Sequence, residues 1–250
     1  MFKELLLANQ ASNNDDLSEV YAYANSIGVT PQQVDSAIGN NTVLRERLIA
    51  WKFLIHSLVN TGYTPWLVGD GAAYIDTGQA FSINFQIKLR TQSTYRHRIM
   101  GCYKNYLWWQ LYVNEDGEGL GLQLGNGENS NKAAGIYNAS ILNSQPVVVT
   151  CEGANNRALI NGKISKIYYD VDTTYNNYLF ARNNSGTADS FCHGEISYYI
   201  SSNQHFVPYC DNGTYGMLDL VSNTFFASEV QNGLFSYRLE DSNGNAVNIN

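Results

Sequence analysis

Two glutamates and an aspartate crowd one short stretch, Asn114-Glu115-Asp116-Gly117-Glu118. Paired carboxylates are what a glycoside hydrolase uses, one as acid and the other as base or nucleophile. Side chains alternate along a strand, so acids meant to act together belong at i and i+4 with a third at i+2. Residues 115, 116 and 118 fall instead around an Asp-Gly turn. Asp76-Thr77-Gly78 is the triplet of aspartic proteases, which need two such aspartates sharing a proton. No second copy exists in the chain, and a strand end capped by an aspartate turn is the expectation. There is no G-x-S-x-G elbow, and His56, His97, His193 and His205 form no H-x-H or H-E-x-x-H pattern. Cys192 and His193 are adjacent, so on a strand they point to opposite faces and cannot act as a dyad.

Metal chemistry is equally thin. Cys102, Cys151, Cys192 and Cys210 are widely spaced with no C-x-x-C pair, which argues against zinc and for buried, reduced thiols. Asp170 and Asp172, two apart in the loop Asp170-Val171-Asp172-Thr173-Thr174, are candidate calcium ligands because calcium takes carboxylate oxygens. The glycine of an EF-hand loop is missing there, and no other cofactor is expected.

Aromatic rings offer a different chemistry. Trp108-Trp109 lie near Tyr103, Tyr106 and Tyr112, and Tyr168-Tyr169 lie near Tyr175 and Tyr178. Flat exposed rings beside Asn and Asp suit a sugar, so Trp108, Trp109, Tyr112, Tyr169 and Tyr175 are candidate carbohydrate-binding residues. In an alternating strand only one of two adjacent rings faces outward, and core or strand-pair packing is the competing assignment for each.

These residues need elements to hold them, and the chain divides near residue 62. Residues 1–62 read as helical. Asp16 with Glu19 fits a capping box, and Gly28 ends that helix. Thr30-Pro31-Gln32-Gln33 starts a second helix, which stops near Gly39. Thr42 caps a third over 43–59, where Leu44, Leu48, Trp51, Ile55 and Leu58 recur at spacings of four and three. That stripe packs on its own neighbours or serves assembly; two heptads alone make a poor coiled coil. From residue 63 to 250 the period is two. In FSINFQIKLR, Phe81, Ile83, Phe85, Ile87 and Leu89 face one way and Lys88 and Arg90 the other. About a dozen short strand candidates follow, with Asp116-Gly117 and Asn161-Gly162 as turns, which implies two antiparallel sheets face to face.

Composition agrees with a polar β-protein. Of 250 residues 44% are apolar and only 15% charged, with 18 Tyr. The net charge of −7 and the absence of a Lys/Arg cluster exclude a nucleic-acid surface. No apolar run approaches the roughly 18 residues of a membrane span. The opening MFKELLLANQASNNDD turns acidic and Asn-rich at once, so no export signal is expected.

An ordered series then emerges: AYIDTGQAF, RALINGKIS, NYLFARNNSG, GEISYYIS, HFVPYC and GTYGMLDLVSNTFFAS, over roughly residues 66–238. It resembles the concanavalin A-like, laminin-G-type jelly-roll family, in the version found in surface and virion proteins of gut bacteria and their tailed phages. Tyr209 between Pro208 and Cys210 departs from the usual pattern. The resemblance implies a mainly β fold, a two-sheet antiparallel jelly roll behind a small helical segment. It implies that the last segments close the sandwich, with Pro208 at a strand end, Asp211-Asn212-Gly213 as a turn and a strand at 224–227 pairing with Met217 and Leu218. Asp219 then bonds nearby backbone. Some laminin-G-like relatives bind calcium through loops, which bears on Asp170 and Asp172.

The function expected from all this is non-enzymatic: a structural or adhesive virion protein of a tailed phage, such as a head or tail fibre or a decoration protein. It would be assembled in the host cytoplasm, with itself, other virion proteins and a host surface glycan as partners. A bacterial surface glycan-binding module is the alternative, and a glycoside hydrolase the third.

Overall fold

The computed structural model describes residues 17, 21, 24–25, 29–39, 64–91, 97–104, 107–113, 120–126, 145–155, 157–166, 175–211, 213–222, 224–230 and 233–247. Within the helical segment, α1 (Pro31–Ile38) starts as its sequence dictates. Thr30 Oγ1 accepts from Gln33 N at 3.3 Å, and Gln33 Oε1 accepts from Thr30 N at 2.8 Å, which completes a capping box. Pro31 takes the first turn, where no N–H is needed, and Gly39 ends the helix with φ at +52°. The stripe at 43–59, with Leu44, Leu48, Trp51, Ile55 and Leu58, lies outside the described residues. Among those described, no helix is long and apolar enough to cross a membrane.

The β-region is a two-sheet jelly-roll sandwich. The larger sheet holds β1 (Thr64–Asp70), β3 (Asn84–Thr91), β7 (Val147–Glu152), β8 (Arg157–Ile160), β9 (Lys163–Lys166), β13 (His193–Ser201), β14 (His205–Asp211), β15 (Thr214–Asp219), β16 (Thr224–Phe226) and β17 (Phe235–Glu240). The smaller holds β2 (Ile75–Ala80), β4 (Arg98–Lys104), β5 (Leu107–Val113), β6 (Leu120–Asn126), β10 (Asn176–Leu179), β11 (Arg182–Asn184) and β12 (Thr187–Asp189). Among the described pairs, all are antiparallel except β11 with β4, which run parallel. β13 is the hub of the larger sheet. β3 runs along one edge of it, while β1 and β14 divide the other.

Alternation sets the core. Phe85, Ile87 and Leu89 of β3 point inward and meet Met100, Cys102, Trp109, Leu111 and Leu122 of the other sheet. Phe81, ahead of β3, also turns inward. All four cysteines are buried thiols outside any disulfide, and burial pushes the Cys192 thiol up to about 12, so it stays protonated and inert. His193, one residue on, is exposed.

The turns follow their residue types. Asn161 and Gly162 join β8 to β9 with φ of 46° and 78°, the pair of positive values that a type I′ hairpin requires. Asp211 pairs with Thr214 across a two-residue turn whose Gly213 has φ of 84°. Asp219, almost fully buried, accepts from the backbone N–H of His205 (2.8 Å), Val221 and Ser222 (3.2 Å each) and from the Ser222 hydroxyl (2.6 Å). Every lone pair aimed at a neighbour is thus taken by the closing hairpin.

Two expectations are corrected. Pro208 is mid-strand in β14, not at its end; the ladder with β13 stops at Phe206, so β13 asks no N–H of it. Asp76-Thr77-Gly78 is a bulge inside β2, where the register against β10 slips between Asn176 and Tyr178. Asp76 Oδ1 accepts from Gly78 N at 2.8 Å, and Gly78 has φ of +66°.

Candidate functional site

The aromatic candidates separate into core and undescribed. Trp109 is 0% exposed and stacks on Phe81, ring centroids 3.6 Å apart at 13°. Tyr112 is buried beneath the Arg98 guanidinium, 5.1 Å from the ring centre, and fills the space above Gly121. The expectation that these two rings form a sugar platform is therefore corrected: neither offers a face to solvent. Strand alternation explains both, since Trp109 takes the inward position and Tyr112 the outward one that Arg98 covers. Tyr175 is half-buried against the core. Trp108 lies on β5, but its side chain is not among those described, and Tyr169, Asp170 and Asp172 lie outside the described residues, as do Glu115, Asp116 and Glu118. Among the described residues no group of three His, Cys, Asp or Glu side chains is placed to hold a metal.

Chemistry gathers instead on the outer face of the larger sheet, where the sequence reading placed no site. Because Ile87 and Leu89 face the core, Lys88 and Arg90 of β3 must face outward. The ladder sets Arg90 opposite Glu195 on β13, Trp66 of β1 opposite Arg238 on β17, and Thr64 opposite Glu240. The result is one network. Arg90 grips Glu240 with two bonds, Nη1 to Oε1 at 2.6 Å and Nη2 to Oε2 at 2.8 Å. Its Nη1 also lies 3.3 Å from Glu195 Oε2. Arg238 pairs with Glu195 and lies 2.9 Å from Glu240 Oε1. The Trp66 indole donates to Glu240 Oε2 at 3.0 Å, while its ring carries Arg90 at 4.8 Å and Lys88 at 5.6 Å.

These side chains floor a cleft of about 510 Å³. Thr64, Lys88, Arg90, Arg238 and Glu240 form its base, and Gln145, Pro146 and the turn at 241–244 form its rim. The rim is fixed by Asp241, which accepts from the N–H of Asn243 and Asn245 at 2.8 Å each and from Asn245 Nδ2 at 3.1 Å. That carboxylate is spent on its own loop.

Burial and pairing pull the acids apart. Burial pushes Glu240 up, but the bonds from Arg90, the charges of Arg238 and Arg90, and the Trp66 N–H outweigh it and hold the carboxyl below its ordinary range. Burial raises Glu195 above its ordinary value, and Arg238 and Arg90 offset only part of that. Asp70, whose backbone bonds from Leu234, Ala72 and Ala73 outweigh burial, and Asp189, where Arg182 outweighs burial, are also held low. A carboxyl depressed in the fold stabilises above its unfolded pKa and loses that contribution as pH falls through the folded value. Among the described carboxyls, Asp70, Glu152, Asp189, Glu240 and Asp241 act in this sense and Glu195 acts against it. Burial also draws the His205 pKa below its ordinary 6.5, with Asp219 opposing only in part, so the urea midpoint is expected to start falling as pH drops below that value and to fall further below the ordinary 4.5 for Glu and 3.8 for Asp. A midpoint unchanged from pH 7 to pH 3 would contradict these assignments.

No family model matches the chain, and no curated protein matches it. Among solved structures, the CBM40 module of a Ruminococcus gnavus IT-sialidase superposes with a TM-score of 0.38 at 15% identity, over 54% of this chain and 89% of that one. The same module bound to alpha2,3 sialyllactose gives 0.37 at 14%, over 54% and 89%. The NanB sialidase of Streptococcus pneumoniae gives 0.29 at 10%, over 58% of this chain and 22% of that one. At this similarity no site residue carries over.

Proposed function

We propose that the chain is a non-catalytic β-sandwich that binds carbohydrate in the cleft beside β17. The observation behind this reading is the cleft itself. Its base sets Arg90, locked by a buried ion pair with Glu240, beside Lys88, held by the Thr64 hydroxyl, and its rim carries amides and a hydroxyl at Gln145, Ser242 and Asn243. Fixed, convergent hydrogen-bonding groups in a concave site are what a polyhydroxylated ligand needs. With Trp66 fully buried, recognition is polar and has no ring stacking from that side chain.

The same geometry speaks against hydrolysis. Among the described residues at the cleft, Glu195 and Glu240 come nearest to a carboxylate pair, yet each is clamped by a guanidinium. A general acid must hold a proton to give and a nucleophile must aim a free lone pair at the substrate. Such a cleft serves an adhesive virion protein or a bacterial surface module equally well, the two settings expected from the sequence.

The test is a glycan array with the full chain, followed by calorimetry on any hit. Asn243→Ala and Gln145→Ala, both at exposed positions, are expected to weaken binding about tenfold together, since each removes a polar contact worth about 0.5–1.5 kcal/mol, with thermal melts of both variants run beside the binding. Binding that both variants leave untouched, or cleavage of the bound glycan, would overturn the reading.

A further inference from the structure

Among the described residues, Lys88 is the one cation at the base of the cleft with no carboxylate in contact. Arg90 has Glu240 and Glu195, and Arg238 has the same two. The Lys88 ammonium meets only Thr64 Oγ1, at 3.0 Å, and the Trp66 ring, at 5.6 Å. Thr64 accepts one of its three donors and leaves two for the cleft. An ammonium taken partly out of water without a counter-ion is held at a cost, and burial, partly opposed by Glu240, draws the Lys88 pKa below its ordinary value. The neighbouring carboxylates cannot swing over to help, because Glu195 and Glu240 are fixed by arginine and Asp241 by its own turn. Among the described residues no further carboxylate lines the cleft, and a ligand can supply the negative charge.

We propose that the cleft selects an acidic sugar, one bearing a carboxylate or sulfate, and that Lys88 is the residue that makes the selection. This rests on the carbohydrate reading above. An ammonium is a compact point charge, so it serves either anion, whereas a bidentate carboxylate site would call for an unengaged arginine fork. The whole chain carries −7 and repels anions at long range. At about 0.15 M salt that field is screened beyond roughly 8 Å, while a contact at Lys88 persists. The preference is therefore local and survives physiological salt.

The experiment is calorimetry on the full chain at 0.15 M salt. The probes are matched oligosaccharides in neutral, uronate-containing and O-sulfated forms, with sodium sulfate and glucuronate alone as controls. The acidic oligosaccharides are expected to bind at least tenfold tighter than the neutral ones. Lys88→Met is expected to weaken acidic binding far more than neutral binding and so erase that difference, and Lys88→Arg to keep most of it. Thermal melts of both variants guard against a folding defect. Equal binding of neutral and acidic forms, or a preference that survives Lys88→Met, overturns the proposal and leaves the carbohydrate reading intact. Sulfate alone binding as tightly as the sulfated sugar overturns the sugar as ligand. No binding by any oligosaccharide sinks the carbohydrate reading and this proposal with it.

Discussion

Glu240→Ala is expected to destabilise the chain by about 3–5 kcal/mol, the range for removing one partner of a buried ion pair. Glu240 is 3% exposed and receives four contacts: two from Arg90, one from Arg238 and one from the Trp66 indole. Deleting it leaves the Arg90 guanidinium, itself 7% exposed, with only the longer contact to Glu195. It also strands the indole N–H. Glu240→Gln keeps the shape and one acceptor, so its loss should be smaller. Because both members of a buried pair carry a desolvation cost, Arg90→Met combined with Glu240→Leu should recover much of the stability that the single alanine removes. Urea unfolding gives all three values. A Glu240→Ala variant within 1 kcal/mol of the parent would mean that the network orders the cleft without stabilising the fold.

That network also marks where the sequence stopped being informative. The outward direction of Lys88 and Arg90 follows from alternation in one strand, and so was legible. Their partners were not, because Trp66 and Glu240 are 174 positions apart and meet only through the β1–β17 ladder. β1 itself is hard to see: Pro65 and Gly69 interrupt TPWLVGD. The structure shows why Gly69 is there, since a Cβ at that position would sit 2.7 Å from the Phe180 ring. Local signals fared better. Thr30 with Gln33 and Asn161 with Gly162 act within a few residues of themselves, and Asp219 does so toward Val221 and Ser222 while also taking the His205 N–H, each as its type predicts. β11 and β12, three residues each, are too short to show a period.

The adjacent tryptophans show the same limit at one residue's resolution. Period two says that one ring of Trp108-Trp109 faces inward, but not which. The Phe81 stack assigns it to Trp109, and mutation can check the assignment by stability instead of binding. Trp109→Ala is expected to cost about 3–5 kcal/mol, the usual range for emptying a large aromatic site in a core. Trp109→Phe should be far milder. The indole Nε1 of Trp109 has no hydrogen-bond partner among the described residues, and an unsatisfied buried donor carries a penalty of about 1–3 kcal/mol. Phenylalanine removes that donor, keeps a flat ring against Phe81, and offsets part of the lost volume. A ring serving as a sugar platform predicts the reverse pattern: near-parental stability for Trp109→Ala with binding abolished. Urea midpoints for the two variants, measured beside glycan binding, separate the cases. Large destabilisation by alanine, with phenylalanine tolerated, fixes Trp109 in the core and takes it out of any sugar platform, consistent with the proposed site in the polar cleft on the outer face of the larger sheet.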